Sequence, residues 1–459
     1  MPNDLKIVVI GAGSASFGLE TLTGIMNQSV LKGTTTLCLV DINEVKLKAV
    51  EKLARLINQQ WNSKMEIMAT TDRKKVLNDA DFVILSVAVD REETWIKDYE
   101  IAKKYGIYHY AENGGPGSFT HTARGLAFIM PILNDIHDLA PDAWLLNYTN
   151  PVPRIGYAAQ YVNVKHIGLC HGIWHAYAIV GRYLANPLKI TDPKLLNYEF
   201  KWTDEHLALW RKLAHAAFNE YEIKAAGLNH FIWLLDVRRR DNWKDVYPLI
   251  REEAKNLNPN FEPLTQHLFR IFGLIPGLSD THLTEYVPYT ITKENWQKYN
   301  IQLYDFKWAK KRREQMWTKN DKMITGKTPL DVQPNPEERA DWIIAEMYSN
   351  KNAYEQSVNL INNGAISNLP DDAIVEVPAL VSGLGISGMR MGSLPEGIAS
   401  LCRHEISVSK LMTQASIKGD HELALQAFAL DPMVNDLDLA EKLLDEYLKA
   451  HKQYLPQFF

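Results

Sequence analysis

Leu5-Lys6-Ile7-Val8-Val9-Ile10-Gly11-Ala12-Gly13-Ser14-Ala15-Ser16 lies at the start of the chain, and its reading decides the fold. A β-branched apolar run passes directly into closely spaced glycines, and a helix-compatible stretch follows over residues 19–26. The pattern is strand, tight turn, helix. In such a turn the glycines let backbone amides approach a pyrophosphate at a helix N-terminus. Ser16 stands at the usual place of a third glycine. The next strand pattern, residues 35–40, ends at Asp41, an acid placed to accept from a ribose diol and to repel a 2′-phosphate. Gly11, Gly13, Ser14, Ala15, Ser16 and Asp41 are therefore the expected cofactor-binding residues, and NAD is preferred over NADP.

Working outward, residues 44–56 have helical spacing, and strand patterns recur at 81–87, 143–148 and 166–169. Repeated β-α-β units imply an α/β fold with a Rossmann-type, doubly wound parallel sheet. Beyond residue 185 the texture changes to a mixed region rich in Trp, Tyr and charge. Strand candidates lie there at 232–237 and 373–377, with a polar helix at 308–322 and amphipathic helix over 398–455. The expected division is 1–185, the NAD-binding domain, and 186–459, a C-terminal mixed α/β domain for catalysis and oligomerisation. A chain of 459 residues exceeds what one core usually holds, so an active site between two lobes is expected.

Composition narrows the partners. With 50 Lys+Arg against 55 Asp+Glu, the net charge of -5 gives no reason to expect nucleic acid or an anionic membrane. No apolar run reaches membrane-spanning length, and no basic leader precedes the first strand. Cys38, Cys170 and Cys402 are far apart without CxxC spacing, which points away from disulfides and toward the cytoplasm.

Four polar segments interrupt the apolar pattern. Gly168-Leu169-Cys170-His171-Gly172-Ile173-Trp174-His175 places a thiol beside an imidazole, and Gly227-Leu228-Asn229-His230-Phe231 offers another imidazole in an apolar setting. Soft N/S donors near a nicotinamide cofactor suggest redox chemistry assisted by a divalent metal, although taken alone Cys170 reads more readily as a buried apolar residue and His230 as a hydrogen-bonded core or surface residue. Asn147-Tyr148-Thr149-Asn150-Pro151 lies at a predicted strand's carboxyl end, where open α/β sheets bind ligands. Ala111-Glu112-Asn113-Gly114-Gly115-Pro116-Gly117-Ser118 reads either as a ligand-facing loop or as a solvated turn. Ser279-Asp280-Thr281-His282-Leu283-Thr284-Glu285-Tyr286 reads either as a site or as a helix start capped by Asp280.

Taken in order, these segments together with Ile275-Pro276 closely resemble glycoside hydrolase family 4, the NAD-dependent, metal-requiring glycosidases. The resemblance implies Cys170 and His230 as ligands to a divalent ion, usually Mn2+. It also implies a homodimer or homotetramer acting on a small carbohydrate. It assigns Glu112 to the general acid position, where the family usually has Asp, and Asp280 to the base. Asn150, His171, His175, Asn229 and Arg124 become sugar-facing residues. A Cys-His pair in this family goes with unphosphorylated α-glycosides, so His171 argues against a phosphosugar. The implied reaction transfers hydride from the sugar C3 to NAD, which acidifies the C2 proton. Loss of that proton expels the glycosidic oxygen from C1, water adds, and the hydride returns to C3, so the net change is hydrolysis. Cys-His-Gly segments like this one favour an α-hexuronide, cleaved by an α-galacturonidase or α-glucuronidase, with His175 or Arg124 meeting the carboxylate. The alternatives are a neutral α-galactosidase or α-glucosidase, a net NAD-dependent sugar oxidoreductase, and a noncatalytic NAD-binding regulator.

Overall fold

Along β1 (Leu5–Ile10) successive side chains enter two different cores. Ile7 and Val9 pack with Leu37, Leu39, Ile84 and Leu146 on one face, while Val8 and Ile10 pack with Cys38, Val40, Val83 and Leu145 on the other. A strand covered on both faces reads as a continuous apolar run, as this one does. The computed structural model describes residues 5–14, 17–197 and 200–459, so Ala15 and Ser16 of the expected cofactor set lie outside the described residues.

β1 is joined in parallel by β2 (Thr35–Val40), β3 (Glu66–Thr70), β4 (Phe82–Leu85), β5 (Trp144–Asn147) and β6 (His166–Gly168). Their spatial order is β3-β2-β1-β4-β5-β6, the doubly wound order whose reversal between β1 and β4 opens a crevice at the strands' carboxyl ends. Helices Phe17–Asn27 and Glu44–Gln60 cover one face through Leu22, Ile25, Leu47, Val50 and Leu53. Helices Gly117–Leu139 and Val152–Tyr161 cover the other through Leu126, Ile129, Leu133 and Ile155. Each such fully buried aliphatic side chain contributes about 1.5–3 kcal/mol.

The second half continues the same sheet. β7 (Tyr221–Leu228), β8 (Phe231–Arg239), β9 (Ala353–Ile361), β10 (Ile374–Ser382) and β11 (Gly385–Gly388) pair antiparallel, and β9 attaches to β6 at Gly168↔Asn359. Gly168 permits the junction: a Cβ there would lie 2.1 Å from Val152 Cγ1 and 3.1 Å from Asn359 Cβ. The C-terminal helix Glu396–Lys418 returns to pack on Gly117–Leu139, and with His421–Leu430 and Leu437–Ala450 it encloses Phe119, Met412, Phe428 and Leu443. Among the described residues no helix is long and apolar enough to cross a membrane.

Candidate active site

The glycine loop leaves β1 at the crevice. Gly11 has φ of 90° and a Cβ on it would lie 1.9 Å from Ser86 O, just past β4, so only glycine fits. Past the undescribed Ala15 and Ser16, a Cβ on Gly18 would lie 2.3 Å from Ala12 O. Asp41 follows β2 and accepts from Gly13 N and Asn43 N, both at 2.8 Å. Gly11 and Gly13 thus open a cradle with a carboxylate at its rim, which fits a dinucleotide's pyrophosphate and ribose.

Three strands along, Cys170 emerges from β6, roughly 14 Å from the loop at ordinary strand spacing. The two-residue turn joining β7 to β8 is Asn229-His230, and His230 there has φ of 60°. This turn brings His230 Nε2 to 3.3 Å from Cys170 Sγ. Burial, with the nearby Glu376 charge, pushes the Cys170 thiol up to about 12. Asn229 Nδ2 donates to Glu376 Oε2 at 2.9 Å, and Tyr286 donates to Asn229 O at 2.9 Å, fixing the turn from both sides.

The Ala111–Ser118 segment is buried throughout, so its solvated-turn reading is overturned. Glu285, fully buried, accepts from the backbone N–H groups of Glu112, Asn113 and Gly114. Arg154 donates to Asn113 O at 2.8 Å, and Asn113 Nδ2 meets His230 Nδ1 at 2.9 Å. Glu112 pairs with Arg91 at 2.9 Å. Burial raises the Glu112 carboxyl, but Arg91, with His121, His230 and His282, drives it down to about 2. Arg91 thus favours the charged form of Glu112. Donor atoms of Glu112, His230 and His282 lie within 4.8 Å of one another, and with Cys170 they form a donor set suited to a divalent first-row metal.

Other expected residues separate into near and far. His175 lies in the helix Gly172–Tyr183, its ring 5.0 Å from Trp210, with Nδ1 buried and unpartnered. Burial, with the His282 and His171 charges, brings it down to about 3, so it stays neutral. His171 is half exposed, 3.4 Å from Glu338 Oε1. Asn150 follows β5 at a cis bond to Pro151 and is half-buried.

Two expectations are corrected. Arg124 does not face the cluster as a free cation: it donates to Asp98 at 2.6 and 3.0 Å, in a buried group with His451. Asp280 is buried, accepting from Leu264 N at 2.6 Å and from Thr265 N and Oγ1 at 2.7 Å. It caps the helix Pro263–Phe272, not its own, so the carboxylate that the family resemblance assigns to the base already accepts three hydrogen bonds. The sequence reading passed over Arg91, Glu285 and Glu376. The three-residue spacing of His282 and Glu285 on one helical turn was the available signal.

Glu262 accepts from Asp280 N at 2.5 Å, and burial beside the Asp280 charge raises its carboxyl well above the usual range. The folded chain therefore keeps a proton that the unfolded chain releases. Stability from this group is complete below the ordinary carboxylate range and is lost as pH rises above it, by about 1.4 kcal/mol per pH unit. Glu262→Gln keeps an oxygen to accept from Asp280 N and an N–H to donate to the Asp280 carboxylate, so its melting temperature is expected to fall less between pH 5 and pH 8 than that of the wild type. Parallel declines in calorimetry would refute the protonated pair.

Residues 225–434 match the sequence model described as Family 4 glycosyl hydrolase C-terminal domain. An alpha-glucosidase of Erwinia rhapontici is 30% identical, with 98% of each chain aligned. An alpha-galacturonidase of Lachnoclostridium phytofermentans is 26% identical over 99% of this chain and 97% of the other. A solved 6-phospho-alpha-glucosidase from gut microorganisms, in complex with NAD and Mn2+, superposes with a TM-score of 0.76 at 19% identity, covering 100% of both chains. Because residues 6–185 also match the sequence model described as Family 4 glycosyl hydrolase, the chain belongs to glycoside hydrolase family 4.

Proposed function

We propose that this protein uses NAD and a divalent metal, Mn2+, to hydrolyse the α-glycosidic bond of an unphosphorylated hexuronide. The observation that carries the reading is the meeting of Cys170 Sγ and His230 Nε2 at 3.3 Å, on the sheet edge that also bears the glycine cradle. When bound, NAD supplies a reversible hydride acceptor and the metal a Lewis acid. Cys170 and His230 hold the ion, while Gly11, Gly13 and Asp41 seat the dinucleotide. Glu376 and Tyr286 keep the Asn229-His230 turn in place, and Asn150 and His175 face the sugar. Three unpaired cysteines suit the reducing cytoplasm, where a homo-oligomer acts on small carbohydrate.

The absence of a phosphate on the sugar is supported by the surroundings of His171. Glu338 lies beside it, and Glu20, largely buried, feels its charge, so a phosphate dianion there would meet carboxylates. The hexuronide is supported by an outer groove of about 600 Å3 where Lys212 and His215 lie beside the Arg211–Glu337 and Arg312–Asp204 pairs. Trp174, which shares a pocket with Cys170, lies 5.2 Å from the His215 ring and links groove to site. A neutral α-glucoside or α-galactoside is favoured by a different observation: Arg91 and Arg339 beside the site are already paired with Glu112 and Glu355.

The test is turnover of 4-nitrophenyl α-galacturonide, α-glucuronide, α-galactoside and α-glucoside with NAD, Mn2+ and thiol present. In deuterated water the expected product carries deuterium at C2, and NADH does not accumulate. Accumulating NADH would instead establish a net oxidoreductase, and preferred cleavage of the neutral glycosides would establish the second reading.

A further inference from the structure

We propose that His282 and Glu112 complete the ligand set that Cys170 and His230 begin, so that Glu112 acts as a metal ligand and not as the proton donor. The inference rests on the reading that a divalent ion sits at Cys170 and His230.

Three independent placements converge on it. Donor atoms of Glu112, His230 and His282 all lie within 4.8 Å of one another. Bonds of about 2.0–2.2 Å to one ion need donors no more than about 4.4 Å apart, so side-chain shifts of tenths of an ångström suffice. The two imidazoles lie with ring centroids 4.3 Å apart, and Cys170 Sγ reaches the shared member, His230.

Next, His282 turns Nδ1 to Glu285 Oε2 at 3.4 Å, which leaves Nε2 for the ion. A carboxylate behind one ring nitrogen is the usual way a ligating histidine is oriented. His230 likewise has an outer partner in Asn113.

Glu285 also fixes the backbone of Glu112 and Asn113, so one buried carboxylate places both added ligands. Arg91 alone does not account for Glu112: it bonds Oε1, while Oε2 accepts from the Asn113 amide at a long 3.3 Å. A carboxylate and a thiolate together would neutralise a divalent ion in this buried position, where an uncompensated charge is costly.

The experiment is titration of the metal-stripped full chain with Mn2+, read by loss of the free-ion EPR signal, together with the visible absorption of the Co2+-loaded protein. Glu112→Gln and His282→Ala are each expected to weaken Mn2+ binding roughly 10–100-fold and to alter the Co2+ bands. NAD titration and melting temperature report that each variant is folded, and Glu112→Gln, nearly isosteric, carries the test where His282→Ala does not fold. If both variants bind Mn2+ as the wild type does while Cys170→Ser does not, the inference falls and the metal reading stands. If Cys170→Ser and His230→Ala also bind normally, the metal reading falls with it.

Discussion

Cys170→Ser is expected to lower turnover by on the order of a thousandfold, with NAD affinity unchanged. Lewis-acid stabilisation of developing charge on the sugar is worth several kcal/mol, and each 1.36 kcal/mol is about tenfold in rate. A serine hydroxyl is a poor anionic ligand at neutral pH, so the ion loses its thiolate while the glycine cradle, three strands away, is untouched. Exhaustive chelation of the wild type is expected to give the same loss, restored by adding Mn2+. The measurement is kcat with metal and NAD content determined in parallel. A Cys170→Ser enzyme turning over within tenfold of wild type, or a chelated one retaining full activity, would remove the metal from the reaction.

Gly11→Ala is expected to destabilise the fold by about 3 kcal/mol and to lose most NAD affinity. Two costs add: a φ of 90° is poorly tolerated by residues with a side chain, at about 1–2 kcal/mol, and the new Cβ would lie 1.9 Å from Ser86 O. The carbonyl belongs to backbone that continues β4 and is held by Ser86 N bonding to Ile10 O at 3.0 Å, so it cannot simply move aside. Relief must come from the loop, which is where the pyrophosphate would sit. Denaturant unfolding and fluorescence titration with NAD check the two parts. Normal NAD binding by Gly11→Ala would show that the cofactor does not use this turn.

The sequence made β1 and β2 legible to the residue because a doubly buried strand leaves an unbroken apolar run. It hid β7 and β9, whose charged members read as surface. Two of those charges are paired, Glu222 with Arg240 at the end of the β7–β8 hairpin and Glu355 with Arg339 at 2.9 Å, and partners 16 or more residues away leave no local trace. The same blindness explains Arg124, whose partner Asp98 is 26 residues away on another helix. Asp280 was rightly suspected of capping, but the helix it caps begins upstream, which spacing alone could not reveal. Cys170 and His230 were recognisable because unusual residue types stood in apolar company, and the fold brings them together across 60 residues. Glu285 escaped notice because the backbone it binds, at Glu112, lies 173 residues away, and its spacing from His282 was the one local signal.

The attachment of β9 to β6 at Gly168↔Asn359 makes the strand that delivers Cys170 an interior strand. In an open nucleotide-binding sheet it would be a border. A chain severed near residue 185 would therefore expose unsatisfied amides and carbonyls along β6, a template for association with other chains. It would also lose the cover that helix Glu396–Lys418 gives to Gly117–Leu139. The nucleotide-binding half is thus no transplantable module: its solubility depends on residues nearly two hundred positions downstream, and chain length is a poor count of independently folding parts.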